Sequence, residues 1–263
     1  MSRPRAAPRG WALVTGASRG IGAEFARQLA ARGWSVVLCA RSEDELRALA
    51  AALEAEHGVG TAVVAADLAR AGGAARAWAE ASRGREIGML VNNAGFGAHG
   101  RFADADRARL AEMVALNCTA VMELSHLALG EMLPRGRGAI VNVGSIVAYQ
   151  PVPWLAAYAA TKAFVLSLSS ALADECRGTG VRVLCLSPGP TPSGFQAVAG
   201  TRVRAGQLGR LEAEEVVRAA LRTLDRGGVR VVPGWANRLG TALGRMLPLG
   251  LTTRVAGRLN RHR

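Results

Sequence analysis

Short apolar runs alternate with stretches of helical period along most of the chain. Trp11–Thr15, Ser35–Cys39, Thr61–Ala65, Met89–Val91, Ala139–Val143, Val181–Leu186 and Val229–Val232 are near-continuously apolar and predict seven strands. The segments between them predict helices over 21–32, 43–57, about 69–82, about 104–133, the Tyr158 segment to about 177, and 212–225, with Gly33 and Gly58 closing the first two. Strands with apolar residues on both faces are covered on both faces, and helical connections between them require parallel pairing. The expected fold class is α/β, a single doubly wound domain with a seven-stranded parallel sheet and helices on both faces. In such a sheet, ligands bind at the carboxyl ends of the strands.

The pattern changes after Val232. Leu239, Ala242, Leu243, Met246 and Leu247 form an apolar helical stripe with Arg238 and Arg245 off it, and Leu251, Val255 and Leu259 continue it after Pro248 beside Arg254, Arg258 and Arg261. This basic amphipathic tail, 233–263, either packs across the domain or a subunit interface, or lies on an anionic membrane surface. The expected division is therefore a disordered basic extension over 1–10, a dinucleotide-binding and catalytic domain over 11–232, and the tail.

Composition narrows the classes. Of 263 residues, 50% are hydrophobic and 20% charged, as in a globular protein. No uninterrupted apolar run approaches 18 residues, which predicts no membrane-spanning helix, and the N-terminus lacks the apolar core of a signal peptide. A cytoplasmic protein is expected, with peripheral membrane association through the tail as the alternative. Twelve of the 13 net positive charges lie in residues 1–23 and 226–263, which argues against a nucleic-acid face built into the domain. Cys39, Cys118, Cys176 and Cys185 lack paired spacing and the four histidines are scattered, so neither a disulfide nor a metal site is expected.

Two stretches carry candidate chemistry. Thr15-Gly16-Ala17-Ser18-Arg19-Gly20-Ile21-Gly22 joins the first strand to the first helix, and its glycines allow a tight turn and close approach of a pyrophosphate to the helix N-terminus. That turn makes the domain Rossmann-like. The second strand is followed by Ala40-Arg41-Ser42 rather than by the acid that usually holds a ribose 2′-hydroxyl. Arg19 and Arg41 would suit a 2′-phosphate, so NADP(H) is favoured, and NAD(H) remains open because Glu43 is close by. Tyr158 and Lys162, four apart, share a helical face. Lys162 is the only lysine among 33 basic residues, and a neighbouring ammonium is expected to lower the phenol pKa.

The glycine turn, Asn92-Asn93-Ala94-Gly95, Gly144-Ser145, Tyr158-x-x-x-Lys162 and Pro188-Gly189 together resemble the short-chain dehydrogenase/reductase family, in order and spacing, over about residues 11–232. The resemblance implies that Asp67 contacts adenine and that Asn93, Ala94 and Gly95 form the wall against the adenosine half. Asn117 would hold a water in a proton relay, Ser145 would bond the substrate oxygen, and Tyr158 would be the acid/base. Lys162 would hold the nicotinamide ribose, and Pro188, Gly189 and Thr191 would border the nicotinamide. It also implies an oxidoreductase acting on a small-molecule carbonyl/alcohol pair, assembled as a homodimer or homotetramer. A non-enzymatic NADP(H)-binding regulator on the same fold is the alternative. Residues 191–210 would be a substrate lid, and Phe96, His99, Val147, Val152, Pro153, Trp154 and Phe195 could line the pocket.

Overall fold

Trp11–Thr15 (β1) lies third in a seven-stranded sheet of order β3-β2-β1-β4-β5-β6-β7, with every pairing parallel. The protein is described from a computed structural model over residues 10–192 and 207–261. The other strands are β2 (Ser35–Ala40), β3 (Thr61–Ala65), β4 (Ile87–Asn92), β5 (Gly138–Val143), β6 (Val181–Leu186) and β7 (Arg230–Val231). The chain runs outward from β1 to β3 and then returns to the other side of β1 as β4. That reversal opens a crevice beyond the ends of β1 and β4.

One face of the sheet is covered by α1 (Gly20–Ala31), α2 (Glu43–His57) and α7 (Ala213–Asp225), whose Phe25, Leu29, Leu46, Leu53, Val217 and Leu221 are buried against strand residues such as Val14 and Val36. The opposite face is covered by α3 (Gly73–Ser82) and α5 (Ala120–Met132), with Trp78, Leu124 and Met132 packed on Leu13, Leu90 and Ile140. Truncating one such leucine, for example Leu29→Ala, would cost about 2–5 kcal/mol.

The predicted helix over about 104–133 is interrupted. It consists of a 3₁₀ turn at Phe102–Asp104, α4 (Arg107–Val114) begun by the Asp106 side chain accepting from Ala108 N at 2.9 Å, a π turn over Ala115–Thr119, and then α5. The extra residue per turn places Asn117 wholly inside. Residues 107–132 and α6 (Ala156–Glu175) are apolar and long enough to cross a membrane by length and composition. Both pack against the domain, burying Met113, Leu124, Ala128 and Met132 of the first and Ala159 and Val165 of the second beside the polar Asn117, Tyr158 and Lys162. β7 is two residues rather than four, and α3 starts at Gly73 because 67–72 forms a turn with Ala69 N donating to Asp67 Oδ1.

A buried polar chain sets the position of α6. Asn92 and Asn142 stand opposite each other in β4 and β5; Asn92 Nδ2 donates to Asn142 Oδ1 at 2.9 Å, and Asn142 Nδ2 donates to Ser169 Oγ of α6 at 3.0 Å. Such bonds, shielded from water, are expensive to break and allow few alternative registers.

The tail forms two further helices, α8 (Trp235–Met246) and α9 (Leu249–Asn260). They sit on the domain, but with the face opposite to the apolar stripe: Asn237, Thr252, Ala256 and Asn260 are buried, whereas Leu239, Leu243, Met246, Leu251, Val255 and Leu259 are exposed. Packing of the stripe across its own domain is thus not what occurs. Residues 1–9 and most of the expected lid, including Phe195, lie outside the described residues.

Candidate active site

The crevice at the strand ends is a cavity of about 480 Å³, in the range of small-molecule sites. Its floor is the glycine turn. Gly16 and Gly20 have φ of +63° and +57°, and a Cβ on Gly22 would overlap the Gly16 carbonyl. Thr15 Oγ1 accepts from Asn93 N at 2.9 Å and Ala94 N at 3.0 Å, while Asn93 Nδ2 donates to Thr15 O at 2.9 Å and Gly16 O at 3.1 Å. The turn after β4 therefore holds the turn after β1.

Gly16, Ser18, Arg19, Ile21, Arg41, Asp67, Asn93, Ala94, Gly95, Ser145, Tyr158, Lys162, Pro188, Gly189 and Thr191 all line this cavity. Gly20, Gly22 and Asn117 do not. The two glycines shape the turn from behind. The Asn117 side chain is spent on the protein itself, with Nδ2 donating to Phe96 O at 2.9 Å and to Thr161 Oγ1 at 3.0 Å, and Oδ1 accepting from Phe96 N at 3.2 Å.

At the inner end, Ser145 follows β5 and starts a 3₁₀ turn, its Oγ accepting from Val147 N. Tyr158 and Lys162 reach the same space from one face of α6. Burial pushes the Tyr158 phenol above its ordinary value, and a hydrogen bond with Ser145 opposes that rise. The expected lowering by Lys162 is not what dominates. The ammonium is 5.9 Å from the ring centroid and donates to Val143 O at 2.8 Å. Burial lowers Lys162 itself to about 8, with Cys185 and Cys118 acting against the shift. The phenol is thus protonated across neutral pH, the form that can give a proton.

At the outer end, the two guanidiniums already have carboxylates. Arg19 Nε donates to Glu45 Oε1 at 3.0 Å, and Arg41 lies 3.5 Å from Glu112. The pairing holds Glu45 below the usual carboxylate range through its hydrogen bond with Arg19. Glu43, the acid suspected from sequence, pairs with Arg47 instead. Glu45 lines the cavity and was missed; its place in the first turn of α2, just after Arg41, was a readable signal. Asn260 was missed too, and nothing local could reveal it: the end of α9 is brought to the cavity by the fold, where its backbone carbonyl lies 2.8 Å from His99 Nε2. Of the suspected substrate-side residues, Phe96 and Val147 line the cavity, joined by Leu116, Ile146 and Leu155. Val152 is buried with Ala159 and Ala256, and Pro153 packs at Gly257. Among the described residues no cluster of His, Cys, Asp and Glu could hold a metal ion.

The residues present fit a dinucleotide: a glycine cradle that side chains would fill, a helix N-terminus beside it, and a long cleft from Arg41 to Tyr158. Comparison with known proteins agrees in kind. A profile for short chain dehydrogenase matches residues 10–202. A very-long-chain 3-oxoacyl-CoA reductase of Laccaria bicolor is 40% identical over 66% of this chain and 52% of its own length. A 7beta-hydroxysteroid dehydrogenase of Collinsella aerofaciens is 34% identical over 69% of this chain and 68% of its own. The chain thus spans about half the length of the first relative and about two thirds of the second. Among solved structures, a Sphingobium yanoikuyae short-chain dehydrogenase in complex with NADPH superimposes with a TM-score of 0.82 at 36% identity, over 90% of this chain and 93% of that one. A 3-ketoacyl-(acyl-carrier-protein) reductase of Brucella melitensis complexed with NADH gives 0.77 at 26% identity, over 88% and 99%.

Proposed function

The chain belongs to the short-chain dehydrogenase/reductase family, and from that premise we propose that it is an NADP(H)-dependent oxidoreductase acting on an apolar carbonyl/alcohol pair. The observation that carries this reading is the meeting of Ser145, Tyr158 and Lys162 at the inner end of a dinucleotide-shaped cleft. A bound nicotinamide would supply or accept the hydride. The glycine turn would hold the pyrophosphate, Asp67 the adenine, and Asn93, Ala94, Gly95, Pro188, Gly189 and Thr191 the flanking walls. Lys162 would take the nicotinamide ribose. In reduction, Ser145 donates a hydrogen bond to the carbonyl oxygen, and Tyr158 gives its phenolic proton to that oxygen as the carbinol forms; oxidation runs the same transfers backwards. Asn117 would hold the water of the proton relay, with its side chain fixed to Phe96 and Thr161.

The substrate reading rests on the apolar lining beside Tyr158, which includes Phe96, Leu116, Ile146, Val147 and Leu155. A long-chain 3-oxoacyl thioester or a bulky ring ketone would bury enough apolar surface there, at roughly 25 cal/mol per Å². NADP(H) is favoured by Arg19 and Arg41 lining the outer end, and NAD(H) is kept as a second reading by the Glu45 carboxylate on Arg19, which could accept from a ribose hydroxyl. Exposed Val114, Met122 and Phe164 on α4, α5 and α6 support a homodimer through that face.

The test is a panel of 3-oxoacyl-CoA esters of increasing chain length, ring ketones and short ketones, followed by NADPH absorbance with Tyr158→Phe in parallel. Turnover that rises with apolar size and vanishes in Tyr158→Phe is expected. No turnover on any member, with NADPH bound normally, would favour the regulator.

A further inference from the structure

The tail helices are amphipathic the wrong way round for helices that merely cover a core. On α8, Trp235, Leu239, Leu243 and Met246 share one face and are 74%, 53%, 48% and 82% exposed. On α9, Leu251, Val255 and Leu259 recur every fourth residue and are 48%, 48% and 67% exposed. The residues turned toward the domain are polar or small, and their polar groups are satisfied by backbone carbonyls: Asn237 Nδ2 donates to Gly209 O of the domain and to Pro233 O, Thr252 Oγ1 to Leu249 O, and Asn260 Nδ2 to Ala256 O. An apolar face of this extent, on helices already anchored by their other side, is far larger than scattered surface leucines.

Charge says what covers it. Residues 226–263 hold eight arginines and no acid. Arg238, Arg254, Arg258 and Arg261 are exposed beside the stripe, and among the described residues none of them is in an ion pair, although many arginines elsewhere in the chain are. A second copy of this chain is a poor partner, because a two-fold contact would set this arginine-rich, acid-free face against itself. A lipid surface with anionic headgroups meets both demands: acyl chains for the stripe and phosphates for the guanidiniums, with Trp235 at the depth where amphipathic rings settle.

We infer that α8 and α9 form a docking face for an anionic phospholipid surface. The inference does not depend on the reaction proposed above. If that reaction holds, it adds a consequence: α9 presents Leu251, Val255 and Leu259 outward while its last residue, Asn260, stands in the cavity wall, so docking keeps the cleft beside the phase in which an apolar substrate dissolves.

The experiment is co-sedimentation of the full chain with vesicles of phosphatidylcholine alone or with added phosphatidylglycerol, alongside NADPH binding and circular dichroism as checks on folding. Binding to the anionic vesicles, weakened by salt, is expected. Arg254→Glu/Arg258→Glu should lower partitioning by about tenfold or more, and Leu243→Asp/Met246→Asp by a similar factor, with NADPH binding unchanged in both. Binding to neither vesicle would overturn the inference, as would binding that both double variants leave intact. Self-association abolished by Leu243→Asp/Met246→Asp, without vesicle binding, would assign the face to a second copy and equally overturn it.

Discussion

Ser145, Tyr158 and Lys162, at the inner end of the cleft, are each under a tenth exposed, whereas Arg19 and Arg41, at the outer end, have side chains 67% and 63% exposed and each faces a carboxylate. At the inner end the low dielectric makes every charge costly, so Lys162 is brought down to about 8 and the Tyr158 phenol is pushed up. Geometry there is held by the end of β5, by α6 and by the Asn92–Asn142–Ser169 chain. At the outer end water screens each pair, so neither holds its arginine firmly. What matters at the outer end is competition between carboxylate and phosphate for the same guanidinium.

Changes at the inner end should therefore be large and changes at the outer end small. After the loss of turnover in Tyr158→Phe, the largest expected here is Lys162→Arg, which keeps the charge but replaces a compact head with a longer planar one in a buried space. Turnover should fall about a hundredfold or more, checked by steady-state kinetics on the best substrate of the panel. A related effect is on pH. Because the folded pKa of Lys162 is lowered to about 8, its ammonium is present below that value and lost above it, so carbonyl reduction should decline as pH rises through about 8. In Lys162→Arg the residual rate should show no descending limb there. At the outer end, Arg41→Ala should weaken NADPH binding about three- to tenfold, a discounted charge-assisted bond, and leave NADH nearly unchanged, as read by cofactor fluorescence titration. The smallest effect is Glu45→Gln. Releasing Arg19 should tighten NADPH about two- to threefold relative to NADH; tighter NADH instead would break the comparison and favour the ribose-hydroxyl reading of that carboxylate.

Legibility in the sequence followed the same divide between local pattern and depth. The parallel sheet was readable because strands such as Val36–Cys39 are apolar on both faces, and the glycine turn because it sits between a strand and a helix. The four-residue spacing put Tyr158 and Lys162 on one face. It could not tell how deep that face lies, which is why burial, rather than the lysine, governs the phenol. The Arg19–Glu45 pairing was hidden because it joins two elements 26 residues apart, although Glu45 itself follows Arg41 closely in the sequence. The tail shows the limit most plainly. Periodicity reveals that a helix has two faces, but not which of them meets the protein.

The central claim, that Tyr158 completes a hydride transfer prepared by the rest of the cleft, is tested most directly by label transfer. The protein is mixed with NADPH carrying deuterium at the transferable position and with the best ketone of the panel, and the product carbinol carbon is examined by mass spectrometry in wild type and Tyr158→Phe. Deuterium in the wild-type product and essentially none in Tyr158→Phe over the same time, with NADPH bound equally by both, is the expected result. Equal deuterium in the two products would contradict the account.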